Sequence, residues 1–137
     1  MPSLAHELHV AVALMDRRAD ALLARSGCTL SYARFLVLLH VSEESGMTQR
    51  DLSARLGTSE PAVSRMVAGL ARDGLVEVGR APGNRRSLSL TAHGGAALGQ
   101  AGAALGDGFD RLVRSTGTDP AALTASVRLI TTALREV

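Results

Sequence analysis

The chemistry that stands out in this sequence is the recognition of anionic groups by arginine. We attribute the use of arginine at all fifteen basic positions to coding bias, but its placement is uneven: seven arginines lie between residues 46 and 91, where only four residues are acidic. The segments on either side carry no net positive charge. Guanidinium groups bind phosphate oxygens and guanine edges through paired hydrogen bonds. The concentration of arginine in the middle of the chain therefore indicates a surface that meets nucleic acid.

Two of these arginines share one face of a predicted helix. Ser59 caps this helix, which runs to about Asp73. The 3.6-residue period turns one face inward, formed by Val63, Met66, Val67 and Leu70. The opposite face consists of Pro61, Arg65, Ala68 and Arg72, with Ala62 and Ser64 at its edges. Small residues beside two arginines suit a face that approaches stacked bases closely, although charged outer faces are also routine on ordinary surface helices.

A second helix precedes this one and is joined to it by a glycine turn. Thr48 is placed to cap a helix over Gln49–Leu56, with Asp51 in the position of a capping-box acid. Gly57 supplies the left-handed residue that ends the helix. Two short helices connected in this way are typical of a helix-turn-helix, whose second helix enters a DNA groove.

A β-ribbon with three arginines near its tip follows the helix pair. Between residues 76 and 90, apolar residues recur at every second position on both sides of a turn. The turn is marked by Pro82, Gly83 and Asn84. The arginines around it are Arg80, Arg85 and Arg86. This pattern fits a wing that touches phosphates or reaches into a minor groove; the alternative is an edge hairpin that uses charge to avoid aggregation.

Residues 29–95 resemble the DNA-binding core of the MarR (multiple-antibiotic-resistance regulator) family. The resemblance rests on the segments LSYARFLVL (30–38), DLSARLG (51–57), AVSRMV (62–67), LARDGLV (70–76), NRR (84–86) and SLT (89–91). Two positions depart from the family pattern. Asn84 stands where the family commonly has Asp, and Arg34 stands where Gln is common.

The pattern and the resemblance together imply a mainly α-helical fold with a small β-ribbon. A winged helix-turn-helix core (29–91) is flanked by dimerisation helices (1–26 and 92–137) within one domain. The resemblance implies a homodimeric transcriptional regulator, a repressor that binds a pseudo-palindromic operator and releases it when a small apolar or aromatic effector binds. The residues predicted to contact double-stranded DNA are Thr48, Gln49, Ser59, Pro61, Ala62, Ser64, Arg65, Arg72, Arg80, Asn84, Arg85 and Arg86.

The two ends of the chain are predicted to form the dimer. The first helix, over about residues 3–24, has apolar residues on two faces, which implies burial on two sides. Asp119 and Pro120 begin a last helix. Its apolar stripe consists of Leu123, Val127, Ile130 and Leu134. A monomer of 137 residues has difficulty covering both ends, so a two-fold dimer is the simplest arrangement, as the resemblance also implies.

The long helix predicted after Thr91 is rich in glycine, each of which costs up to about 1 kcal/mol relative to alanine. Its expected buried stripe is Leu98, Leu105, Phe109 and Leu112. The glycines either make this helix a pliable strut between the dimer and the DNA-binding unit or allow close helix packing. The sequence leaves both interpretations open.

The effector cleft implied by the resemblance lies between the dimer helices and the winged unit. Its predicted apolar lining includes Leu14, Met15, Leu36 and Leu39, with residues of the long helix. Cys28 raises the alternative of a regulator switched by thiol oxidation. Its position differs from that of the sensing cysteines in the family, which lie within the first helix near tyrosines. A further alternative is a winged-helix module that binds protein partners and no DNA.

Other function classes find no support in the sequence. No phosphate loop, triad-like grouping or metal-ligand motif is present, so we expect no enzyme activity, metal or cofactor. The single cysteine excludes an internal disulfide framework and fits a reducing cytoplasm. Neither a signal peptide nor a membrane span is recognisable. We therefore expect a cytoplasmic protein that makes no membrane contact.

Overall fold

The computed structural model describes the backbone of all 137 residues and every side chain except those of Ala81 and Asn84. It is mainly α-helical with a small three-stranded sheet, which confirms the expected fold class. The helices are α1 (Leu4–Arg25), α2 (Tyr32–Glu43), α3 (Gln49–Leu56), α4 (Glu60–Arg72), α5 (Ala92–Ser115) and α6 (Pro120–Arg135). The strands are β1 (Met47–Thr48), β2 (Val76–Ala81) and β3 (Arg85–Leu90).

The core forms around α2, which packs against α1, α3, α5 and β3. Val37 and Leu38 of α2 are fully buried, as are Leu52 of α3 and Val63 of α4. These side chains belong to one cluster of buried apolar residues. Burial of each side chain of this size stabilises the fold by about 1.5–3 kcal/mol. The helix pair α3–α4 is therefore held in place by apolar packing within the chain.

The sheet has the strand order β1-β3-β2, and both pairings are antiparallel. Leu88 of the central strand is buried and pairs with Met47 on one side and Val78 on the other. Apolar alternation along β2 predicts that Val78 faces inward, yet its side chain is 40% exposed. The reason is its position on an edge strand, where a neighbouring strand covers only one side.

The start of α5 is anchored to the loop that follows α4. Thr91, the N-cap of α5, donates its backbone N–H to the Leu75 carbonyl (3.2 Å) and its hydroxyl to the Gly74 carbonyl (2.5 Å). A Cβ at Gly94 would lie 1.9 Å from the same Leu75 oxygen, so only glycine permits this approach. Close packing thus explains Gly94. Three other positions would leave an added Cβ in open space: Gly95, Gly99 and Gly106.

The terminal helices leave large apolar surfaces uncovered. Every side chain of α6 is described, and none is buried. The exposed apolar side chains of α1 are Leu4, Leu8, Val10, Val12, Leu14 and Met15. Leu112 of α5 was predicted to be buried, but it is half exposed because it borders an open cleft between α1 and α5. The chain therefore covers its middle and leaves its two ends bare.

Candidate nucleic-acid interface

The capping box predicted at the start of α3 is present. Thr48 Oγ1 accepts a hydrogen bond from the Asp51 backbone N–H (3.1 Å), and Asp51 Oδ2 accepts one from the Thr48 N–H (3.2 Å). Hydrogen bonding by the Thr48 side chain and backbone holds the pKa of Asp51 below its usual value, and the nearby charges of Arg85 and Arg55 lower it further. A wing arginine thus lies close enough to α3 to act on its cap.

The turn between α3 and α4 also follows the sequence prediction. Gly57 ends α3 in the left-handed conformation, with φ of 64°. The Ser59 side chain then caps α4 by accepting a hydrogen bond from the Ala62 N–H (3.3 Å), and Pro61 lies in the first turn. The hydroxyls of Thr48 and Ser59, both predicted to contact DNA, are therefore engaged in helix caps in this structure.

Helix α4 separates an apolar face from an exposed one. Its buried residues include Val63, Val67 and Leu70, and Met66 is half-buried beside them. The exposed face carries Pro61, Arg65, Ala68 and Arg72, with the half-buried Ala62 and Ser64 at its edges. The inward and outward faces predicted from the helical period are confirmed. Arg65 lies in the N-terminal half of the helix, and its neighbours on the exposed face are small.

The C-terminal end of α4 is tied to α2 by an ion pair that the sequence analysis did not foresee. Arg34 Nη1 lies 2.7 Å from Asp73 Oδ2, and Arg72 Nε lies 3.8 Å from the other oxygen of the same carboxylate. The hydrogen bond from Arg34 holds the pKa of Asp73 below its usual value against an opposing effect of desolvation, and the charges of Arg34 and Arg72 add to the lowering. The only signal in the sequence was that Arg34 departs from the family pattern.

The wing gathers the predicted arginines at the tip of the β2–β3 ribbon. Arg80 and Arg86 are paired directly across the two strands, and Arg85 is opposite Ala81. All three arginine side chains are exposed. Like charges directly opposite each other in a ribbon are destabilising unless an anion lies nearby. The side chain of Asn84, another predicted contact, lies outside the described residues.

The residues predicted to line an effector cleft are not gathered in one cavity. Leu36 and Leu39 of α2 pack against the core, whereas Leu14 and Met15 of α1 are exposed. A cleft of about 730 Å³ lies between α1 and α6, and of these four residues it includes Met15 alone. Cys28 is a free thiol, half-buried and packed against the core.

Two further classes of site are absent from the part of the chain that the structure describes. No group of three or more His, Cys, Asp or Glu side chains there is arranged to hold a metal ion. No helix there is both long enough and apolar enough to cross a membrane.

Comparison with known proteins points to one family. Residues 29–87 match the sequence model of the MarR family. The apo form of wild-type MarR from Escherichia coli has the same fold, with a TM-score of 0.80 at 22% identity over 98% of both chains. The transcriptional repressor CouR, bound to a 23-mer DNA duplex, is similar with a TM-score of 0.76 at 25% identity over 96% of this chain and 92% of that one.

A third similar structure is a MarR family protein of Mycobacterium tuberculosis in complex with salicylic acid. Its TM-score is 0.73 at 19% identity, and the match covers 97% of both chains. No curated protein matches this sequence. Each of the three matches covers at least 96% of this chain, so the likeness in fold extends beyond residues 29–87.

Proposed function

We propose, from the match of residues 29–87 to the MarR family model, that this chain is a cytoplasmic repressor that binds a pseudo-palindromic DNA operator as a homodimer. The observation that carries this proposal is the exposed face of α4, where Arg65 and Arg72 stand among small residues while the opposite face is fixed in the core. Side chains near the start of such a helix reach base edges in the major groove.

The wing supplies the second part of the proposed contact. Arg80, Arg85 and Arg86 are exposed at the ribbon tip, where the two strands place like charges against each other. A phosphate between them would relieve that repulsion. We therefore assign base recognition to Arg65 and backbone or minor-groove contacts to the wing arginines.

A homodimer is supported by the uncovered apolar surfaces of α1 and α6. Contiguous exposed apolar surface on a protein marks an interaction site. The α6 residues Leu123 and Val127 face the cleft that α1 lines with Leu8 and Val12. A second copy related by a two-fold axis would bury these faces and present two α4 helices to successive turns of DNA.

Release by a small effector is the remaining part of the proposal. The related protein bound to salicylic acid supports a small aromatic ligand for this chain as well. We place the effector beside the predicted lining of Leu14, Met15, Leu36 and Leu39. The two α1 residues of this set are exposed in a single chain, so the pocket would be completed when the second copy covers α1.

The assignment of Arg65 and Arg86 can be tested on one set of duplexes. After selection of an operator from random sequences, Arg65→Ala is expected to weaken operator binding by about 1–3 kcal/mol and to relax base preference at one position per half-site. Arg86→Ala should weaken operator and scrambled DNA evenly and reduce the salt slope by about one for each phosphate that is no longer neutralised. Arg114→Ala, at the far end of α5, is the matched control and should leave both unchanged.

Two outcomes would contradict this assignment. Equal, sequence-independent losses of affinity for Arg65→Ala and Arg86→Ala would remove Arg65 from base recognition. If neither variant weakened binding relative to the Arg114→Ala control, the exposed face of α4 and the wing would not be the DNA-binding surface, and a protein-binding module would become the better interpretation.

A further inference from the structure

A polar cleft lies between the start of α2, the end of α4 and the start of α5. Its volume is about 430 Å³, within the range of small-molecule sites. Arg34, Asp73, His93 and Gln100 provide its polar wall, while Leu75 and Ala97 are among its apolar lining. Its lining shares residues of the long helix α5 with the predicted effector pocket but includes none of Leu14, Met15, Leu36 and Leu39. Three elements that carry the DNA-binding unit therefore meet around one cavity.

The Arg34 guanidinium is the group in this cleft best suited to bind a ligand. It has five N–H donors, of which the structure uses one, on Nη1, for the hydrogen bond to Asp73. No other hydrogen bond from this guanidinium is found among the described residues. Its other terminal nitrogen lies against the α4 backbone, where a Cβ at Gly69 would be only 2.8 Å away. The absence of a side chain at Gly69 thus lets the guanidinium lie between α2 and α4.

We propose that this cleft binds a small organic acid, whose carboxylate takes the place of Asp73 on the Arg34 guanidinium. The Arg34–Asp73 pair itself demonstrates the chemistry, because it holds a carboxylate oxygen at 2.7 Å. The pair is partly exposed, with 31% and 45% of the two side chains accessible, so solvent weakens it. Replacing the Asp73 carboxylate with that of a ligand therefore costs little free energy. The leucine and alanine side chains of the wall then contact the apolar part of the acid.

Exchange at Arg34 offers a route to the DNA-binding face of α4. Asp73 Oδ1 already lies 3.8 Å from Arg72 Nε, so a displaced Asp73 has a second cation beside it. Pairing with Asp73 would draw Arg72 away from DNA. This regulatory consequence rests on the proposed function, whereas binding of the acid at Arg34 does not. Because ligand and Asp73 compete for one group, removing Asp73 should strengthen ligand binding by the reciprocity of linked equilibria.

The test uses benzoate as the probe and benzamide as its uncharged counterpart, titrated into the full-length protein and followed by heteronuclear NMR. Benzoate should shift the NMR signals of His93 and Gln100, and the shifts should reach a plateau as its concentration rises. The affinity of benzamide should be lower than that of benzoate by a factor of about ten or more. Arg34→Gln should weaken benzoate binding about tenfold or more. Asp73→Asn should strengthen it by a few-fold, up to about fivefold. Arg114→Gln is the charge-matched control and should change nothing.

The outcomes separate this site from the proposed function. Benzoate binding that is equal in Arg34→Gln and Arg114→Gln would overturn the site, as would weaker binding in Asp73→Asn. Should Arg34→Gln fail to fold, the sign of the Asp73→Asn effect decides by itself. Benzoate that binds at Arg34 but leaves operator affinity unchanged would support the site and overturn its regulatory role. A parent protein that binds benzoate but no DNA would contradict the proposed function and leave the site intact.

Discussion

The helix-turn-helix core and the terminal helices of this protein differ in how far their apolar side chains are buried. Around α2, residues such as Val37, Leu38 and Leu52 are completely enclosed by elements of the same chain. In α6, with a comparable apolar content, no side chain is buried. The core is therefore complete in one copy, while the ends are not. The contrast shows that a single copy encloses the core around α2 and leaves the apolar side chains of α6 exposed.

The largest expected effect on assembly and DNA binding follows from removing the exposed helix α6. Deleting residues 121–137 takes away most of α6, which is not part of the core, so the remaining chain should stay folded but should become monomeric or aggregate. Loss of two-site binding should lower operator affinity by about a hundredfold or more. Sedimentation and binding to a two-half-site duplex measure both changes. A full-length protein that sediments as a well-folded monomer at micromolar concentration would contradict the dimer.

A pair of matched leucines sharpens the comparison. Leu38→Ala, in the enclosed core, should lower the free energy of unfolding by about 2–5 kcal/mol through the removal of buried atoms and the cavity left behind. Leu134→Ala, on the exposed stripe of α6, should leave the core intact and instead weaken dimerisation. Denaturation and sedimentation of both variants distinguish the two effects. If Leu134→Ala were as destabilising to unfolding as Leu38→Ala and left the dimer unchanged, the two regions would not be separable.

A smaller effect concerns the pH dependence of the core. The pKa of Asp51 is lowered in the folded protein, so its charge contributes stability above its unfolded pKa, and this contribution is lost as the pH falls through the folded value. Asp51→Asn should therefore be less stable than the parent near neutral pH, and the difference should shrink below about pH 4. Thermal unfolding between pH 7 and pH 3 measures this. A difference that stays constant down to pH 3 would assign the effect to geometry rather than charge.

The smallest expected effect lies at the junction of the two regions. Cys28 follows α1, is half-buried and packs against the core, which restricts the access of an oxidant to its sulfur. Cys28→Ser should change operator affinity by less than about twofold, because the side chain lies outside α4 and the wing and the two residues are similar in size. Peroxide should act equally on the parent and on the variant. Release of DNA by peroxide from the parent but not from Cys28→Ser would replace effector control with a redox switch.

Features set by local chemistry were predictable from the sequence. The cap at Thr48, the left-handed Gly57 and the two faces of α4 depend on residues within a few positions of each other, and all three are confirmed. The exposure of Val78 was not foreseen, because the periodicity of a strand does not reveal that it lies at the sheet edge.

Features that depend on distant residues were the ones missed. Arg34 and Asp73 are 39 positions apart, so no spacing rule could pair them. The contact of Gly94 with the Leu75 carbonyl likewise required the packing of α5 against the loop after α4 to be known. Sequence alone had left two interpretations of the glycines in α5, and the structure explains Gly94 by its approach to the Leu75 carbonyl and Gly108 by its approach to the Leu22 side chain.

Because α5 is attached to the loop after α4, movement at one end of this long helix displaces the other end. Its 24 residues span about 36 Å, and its first turn is fastened at Thr91 and Gly94 to the loop that follows α4. A tilt of about 5° about the far end of the helix moves its near end by about 3 Å, the length of a hydrogen bond. A small change in the angle of α5 thus displaces the loop after α4, and α4 with it, by a distance large enough to make or break a hydrogen bond.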